Sequence, residues 1–205
     1  MAELKKVYRH DAVVRLCHFL HLVGMFLLIW SGFRILHPSS TRFFFFGAQM
    51  GTAREVHFWG MYLLIFPWIF RYLYHIWISR QIGETVVRPR DIGYLPAFLK
   101  YYLFIDKKKP WGHEYNPGQR FTYSLWPILV AVQALTGFAL YWPDKLPSVM
   151  AFFGGIIMLK FWHTIIAWVF VITLMIHMYL GSTGSSLADS YVSMITGYEK
   201  QKKLA

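Results

Sequence analysis

His163 and His177 stand fourteen residues apart on one apolar stretch, and imidazole is the commonest side-chain ligand for a metal. Fourteen residues of α-helix rise about 21 Å and turn through almost a whole number of revolutions. Both rings therefore leave one side of the helix, near opposite edges of a hydrocarbon core about 30 Å thick. An imidazole at such depth is costly and normally has a partner. Depth supplies the partners: His18, near the start of the first apolar stretch, matches His177, and His57, near the start of the second, matches His163. Two neutral imidazoles on one haem iron make a closed, low-spin site that passes electrons and needs no open coordination position. The pattern points to two b-type haems stacked across a membrane, with His18 and His177 holding the iron of one and His57 and His163 that of the other.

The remaining histidines are weighed against these. His21, one turn deeper than His18, competes with it, and His18 is preferred because it matches the interfacial depth of His177. His10, His37 and His113 read as surface or loop residues. His75 reads as interfacial, with a place near a haem propionate or in proton uptake as the lesser reading. Gly32 lies fourteen residues after His18, so it shares that face at the level of the outer haem. It either lets a porphyrin pass or eases helix packing, whereas Gly24 reads as packing.

Four helices must position these residues, near 16–36, 55–78, 121–142 and 156–181, each long enough to cross a bilayer. The chain is 56% hydrophobic and only 15% charged, too little charge to cover a soluble domain of 205 residues. The expected fold is an all-α integral membrane protein: one domain over 1–205, four transmembrane helices bundled around two b-type haems. The single cysteine, Cys17, excludes an intrachain disulfide, and without a Cys-x-x-Cys-His there is no covalent haem attachment. The apolar run after His10 has no small-residue cleavage site and reads as a retained span, not a signal peptide.

A net charge of +11 would suggest nucleic acid in a soluble protein, but here the basic residues set topology, and no nucleic-acid partner is expected. Only Arg34, Arg42, Arg54, Lys145 and Lys160 of the 21 Lys and Arg lie on one side of the four spans. The other sixteen place both termini and the 79–120 loop in the cytoplasm by the positive-inside rule. Phe43–Phe46 in the first outer loop suit the membrane interface, and Trp142–Pro147 forms a short second outer turn. The cytoplasmic loop contains an amphipathic piece, Tyr94–Phe104, suited to the membrane surface. It ends in Glu114-Tyr115-Asn116-Pro117-Gly118-Gln119-Arg120 just before the third span. No internal repeat and no low-complexity tail is evident.

Four segments, in order along nearly the whole chain, resemble the gamma subunit of membrane-bound formate dehydrogenase. They are Arg15-Leu16-Cys17-His18-Phe19, Arg54-Glu55-Val56-His57, Tyr115-Asn116-Pro117-Gly118-Gln119, and His163 through His177-Met178-Tyr179. That subunit belongs with the cytochrome b subunits of Ni-Fe hydrogenases and related reductases, and the Tyr115–Gln119 segment is the marker for the formate dehydrogenase branch. The resemblance implies four helices around two b haems in a prokaryotic cytoplasmic membrane. It implies outer-haem ligands His57 and His163, cytoplasmic-haem ligands His18 and His177, and a quinone pocket at Tyr115, Asn116, Gln119 and the surroundings of His177. Menaquinone or ubiquinone would be the electron acceptor. Pro117 inside the pocket motif departs from the family pattern.

Asn116 and Gln119 suit hydrogen bonds to a quinone carbonyl, and Asn-Pro-Gly is also strong turn chemistry. Nothing in the chain oxidises a primary substrate, since it has no cysteine set for an iron–sulfur cluster and no nucleotide loop. The expected partners are therefore an iron–sulfur subunit near the outer haem and a catalytic large subunit, in a complex that the family also builds as higher oligomers. Formate leads as donor and hydrogen follows. A thiosulfate- or polysulfide-type reductase, electron flow in either direction, and a non-redox membrane anchor remain as alternatives. A transporter would need polar residues at midplane and broken, repeated helices, and the sequence has neither.

Overall fold

The computed structural model of the chain describes residues 4–39, 49–80, 86–106, 117–182 and 188–202. Their order is β1 (Leu4–Tyr8), α1 (Ala12–Leu36), α2 (Met50–Trp77), α3 (Pro89–Tyr102), α4 (Pro117–Tyr141), α5 (Pro147–Phe152), α6 (Ile156–Gly181), α7 (Asp189–Thr196) and β2 (Tyr198–Lys202). Capping chemistry sets several of the starts. The Asp11 carboxylate accepts from the Val14 backbone N–H at 2.8 Å, ahead of α1. Pro89 occupies the first turn of α3, where the Asp91 carboxylate reaches back to the Arg88 N–H at 2.8 Å.

Helices α1, α4 and α6 are long and apolar enough to cross a membrane. Helix α2 is the longest at 28 residues, but its Trp, Tyr and His residues and Arg71 make it less apolar than those three. The long helices turn large apolar side chains outward, with Trp59 66% and Ile157 82% exposed. Such an exterior suits lipid and leaves small and polar residues for the helix contacts. Ser31, Thr136 and Ala139 are accordingly among the fully buried residues.

The chain forms two compact units, Met1–Arg71 with Ala167–Ala205, and Tyr72–Ile166. In the first, α1 and α2 touch backbone to backbone: a Cβ on Gly24 would lie 2.9 Å from both the Gly60 carbonyl oxygen and the Leu64 nitrogen. Gly24 is thus a packing residue. The Phe33 and Trp168 rings meet edge to face at 5.3 Å between α1 and α6.

An antiparallel ribbon joins the two ends of this unit, with Leu4 opposite Lys202 and Tyr8 opposite Tyr198. Neither five-residue strand signals itself, because each is short and rich in lysine and becomes a strand only beside its partner. Arg9 and Glu199 pair across its end, and Tyr191 of α7 donates to the Met178 carbonyl at 2.7 Å. Gly197 turns α7 into β2 with φ +86°, where a Cβ would sit 2.8 Å from the His10 carbonyl, so only glycine suits.

In the second unit, the buried Asp91 of α3 and Arg120 of α4 form an ion pair at 3.5 Å, and Ser124 of α4 accepts from the Val87 N–H.

Candidate functional site

The helices bring His18 and His177 together. His18 is carried by the first third of α1 and His177 by the last turns of α6. Their ring centroids are 6.3 Å apart with planes inclined at 45°. Two imidazoles bound to one metal from opposite sides, each through a bond of about 2 Å, have centroids about 6 Å apart. Nδ1 of His18 is buried without a hydrogen-bond partner. His21 instead hydrogen-bonds the Leu64 backbone, and its Nε2 is buried without a partner.

His57 and His163 lie in different units, and each has its own surroundings. His57, the eighth residue of α2, sets Nδ1 2.9 Å from the Ser31 hydroxyl of α1. Gly32 adjoins it: a Cβ there would lie 3.5 Å from the His57 Cε1. His163, the eighth residue of α6, sets Nδ1 2.9 Å from the Thr136 hydroxyl of α4, with Gly137 adjoining its Cε1 at 3.2 Å in the same sense. Gln133 completes that site, its Nε2 lying 3.2 Å from the His163 Nε2 and 3.1 Å from the His163 carbonyl oxygen.

These residues fit a haem better than a bare ion. Among the described residues no group of three or more His, Cys, Asp and Glu could hold a metal ion. A bare transition ion draws at least three ligands from protein, whereas a haem brings four of its own and needs only a pair of imidazoles. The glycines facing the rings and the orphaned Nδ1 of His18 are further features that a flat, ligand-bearing group would use.

The other sites are placed as follows. Tyr115 and Asn116 lie outside the described residues, as do His113 and Phe43–Phe46. Gln119 falls in the first turn of α4, beside the Arg120 that pairs with Asp91. Nδ1 of His75 lies 2.8 Å from the Ser79 hydroxyl, and His37 closes α1. His10 donates its backbone N–H to the Gly197 carbonyl and is half-buried. Burial, with the positive charges of Arg9, Arg71 and Arg15 outweighing Asp11, pushes its pKa down to about 4.

Ser31, Thr136 and Gln133 escaped the sequence reading. Their signal was a short one: Ser31-Gly32-Phe33 and Thr136-Gly137-Phe138 recur on the helices that meet His57 and His163.

The profile of the family described as prokaryotic cytochrome b561 matches residues 9–197. The chain is similar to a probable Ni/Fe-hydrogenase B-type cytochrome subunit of Bradyrhizobium diazoefficiens, 27% identical over an alignment that spans 93% of this chain and 85% of that one. A protein of the same description from Cupriavidus necator is 26% identical over an alignment that spans 97% of this chain and 89% of its own.

Proposed function

The chain belongs to the prokaryotic cytochrome b561 family, and from that premise we propose that it carries electrons between a dehydrogenase and a membrane quinone through two b haems. A cytochrome b membrane subunit with b-type haem is the family's description; two haems, the ligands and the quinone are our reading. The pairing of His18 with His177 at 6.3 Å carries it. His57 and His163 are proposed as the outer pair because each is the eighth residue of its helix. Helix α2 is proposed as a fourth span, and the distribution of Lys and Arg supports cytoplasmic termini.

When bound, a haem between two imidazoles supplies an iron that changes its charge by one electron without opening a coordination position. The chain supplies the rest. His18 with His177, and His57 with His163, would hold the haem irons. The lipid-facing helices exclude water between them. Moving one charge across the membrane is worth about 2.3 kcal/mol per 100 mV. Asn116 and Gln119 would hydrogen-bond a quinone carbonyl, which takes up two electrons and two cytoplasmic protons to give the quinol.

The relatives' names, which specify a Ni/Fe-hydrogenase, favour hydrogen as the donor; an iron–sulfur subunit and a catalytic large subunit are the partners proposed to deliver its electrons. The Tyr115–Gln119 segment keeps formate as the second reading. Mass identification of the large subunit that co-purifies, with assays on hydrogen and on formate, separates the two.

The haem reading is tested by the reduced-minus-oxidised spectrum and a haem count. Two b haems per chain are expected. His177→Ala should lose one haem together with quinone reduction, and His57→Ala should lose the other. Absence of reduced b-type bands, or retention of both haems in these variants, would overturn it.

A further inference from the structure

We propose that Ser31 and Thr136 are positioning residues that fix Nε2 as the iron-binding nitrogen of His57 and His163. The inference rests on the reading of these two histidines as haem ligands.

Ser31 Oγ lies 2.5 Å from the Leu27 carbonyl oxygen and 2.9 Å from His57 Nδ1. A hydroxyl has one proton, and a carbonyl can only accept, so that proton goes to Leu27. The contact with Nδ1 is then made by a proton on the ring. A neutral imidazole has only one N–H, so the lone pair stands on Nε2.

Thr136 repeats this with different residues. Its Oγ1 lies 2.9 Å from the Val132 carbonyl oxygen, 3.1 Å from that of Gln133 and 2.9 Å from His163 Nδ1. Here a second group reports independently on the tautomer. One N–H of the Gln133 amide donates to the His163 carbonyl, which identifies the amide nitrogen. Its other N–H points to His163 Nε2, which must accept it. Oε1 of Gln133 is buried without a partner, so this amide is poorly satisfied where it stands.

Ser or Thr bonding its own helix at i−4 is common and by itself means little. What carries the inference is the duplication. A fully buried hydroxyl and a following glycine face the Nδ1–Cε1 edge of a histidine 26 residues later in one unit and 27 later in the other. Lipid-exposed packing has no reason to make that arrangement twice. A ligand histidine does, because the hydrogen bond at its second nitrogen sets ring orientation and raises basicity at the first.

The test uses the whole purified complex, with Ser31→Ala, Thr136→Val and their double, beside the hydroxyl-preserving Ser31→Thr and Thr136→Ser. The readouts are haem content, the low-spin electron paramagnetic resonance signals and potentiometric titration of each haem. A less basic imidazole stabilises the oxidised iron less. Each hydroxyl loss should therefore raise the reduced-to-oxidised ratio of one haem at fixed potential by about two- to tenfold. The double variant should add the two effects on that same haem, and the hydroxyl-preserving variants should match the original protein.

Unchanged titration and resonance in both hydroxyl-less variants would overturn the inference. So would equal haem loss in Ser31→Ala and Ser31→Thr, which would make the site a matter of packing alone. Shifts in two different haems would instead sink the pairing of His57 with His163. Absent b-type bands in the unsubstituted protein would sink the haem reading itself.

Discussion

His163 sits against tighter walls than His57, and one methyl group should tell them apart. A Cβ on Gly137 would approach the His163 Cε1 to 3.2 Å, closer than an ordinary contact, while one on Gly32 would reach the His57 Cε1 at a comfortable 3.5 Å. Gly137→Ala should displace the ring and alter the spectrum of one haem. Gly32→Ala, whose methyl group would meet His57 at ordinary contact distance, should disturb its ring and haem content less than Gly137→Ala disturbs His163. His10 makes a second residue-scale prediction. Its folded pKa of about 4 lies below the ordinary value, so only the unfolded chain takes up its proton between pH 6.5 and 4. Its contribution is complete above pH 6.5 and is lost as pH falls toward 4. The melting temperature of the detergent-solubilised protein should fall less between pH 7 and 5 in His10→Gln than in the original. The meeting of His18 and His177 was legible because period and depth are written in helical sequence. Ser31 and Thr136 were not, because a hydroxyl on an apolar helix gives no sign of which ring it will meet.

At the scale of elements, two contacts with opposite chemistry are exposed to mutation. Gly24 and Gly60 let α1 and α2 meet at their backbones, and Gly24→Ala would put a methyl group 2.9 Å from two backbone atoms that have no rotamer to retreat into. Unfolding in mixed micelles should show a loss of about 1–3 kcal/mol. The Asp91–Arg120 pair is buried on both sides, so Arg120→Ala leaves an unpaired carboxylate, at about 3–5 kcal/mol. Asp91→Asn with Arg120→Met should recover much of that, as the same measurement would show. Helix positions followed from the sequence to within a few residues: 156–181 was expected and α6 runs Ile156–Gly181, while α1 starts at Ala12 where 16 was expected. The extra turn comes from the Asp11 cap, a local signal that a hydropathy window averages away. The amphipathic piece expected from Tyr94 likewise begins earlier, at Pro89, because the Asp91 carboxylate caps the Arg88 N–H and outranks apolar spacing.

For the molecule as a whole, the ribbon binds both ends of the chain into one piece, so they share a side of the membrane. The count of basic residues predicts that this side is the cytoplasm. Lys6 stands opposite Lys200 in the ribbon, so Lys6→Cys with Lys200→Cys should form a disulfide on mild oxidation, slowed by a membrane-impermeant thiol blocker only when applied from the cytoplasmic face. Failure to cross-link would count against the ribbon, and blocking only from the outer face against the orientation. No sequence window contained this pairing, because its two halves are as far apart in the chain as the chain allows.

That separation bears on how the protein is made. Arg9 waits for Glu199, 190 residues later, and His18 waits for His177. A ribosome delivers α1 to the bilayer long before either partner exists, and contacts so distant in sequence are the slowest to close. His57, by contrast, meets Ser31 as soon as the first two helices are in place, and His163 meets Thr136 within the second pair. Birth order therefore runs from His57 and His163 to His18 and His177, and a stalled nascent chain would lack the contacts that close last.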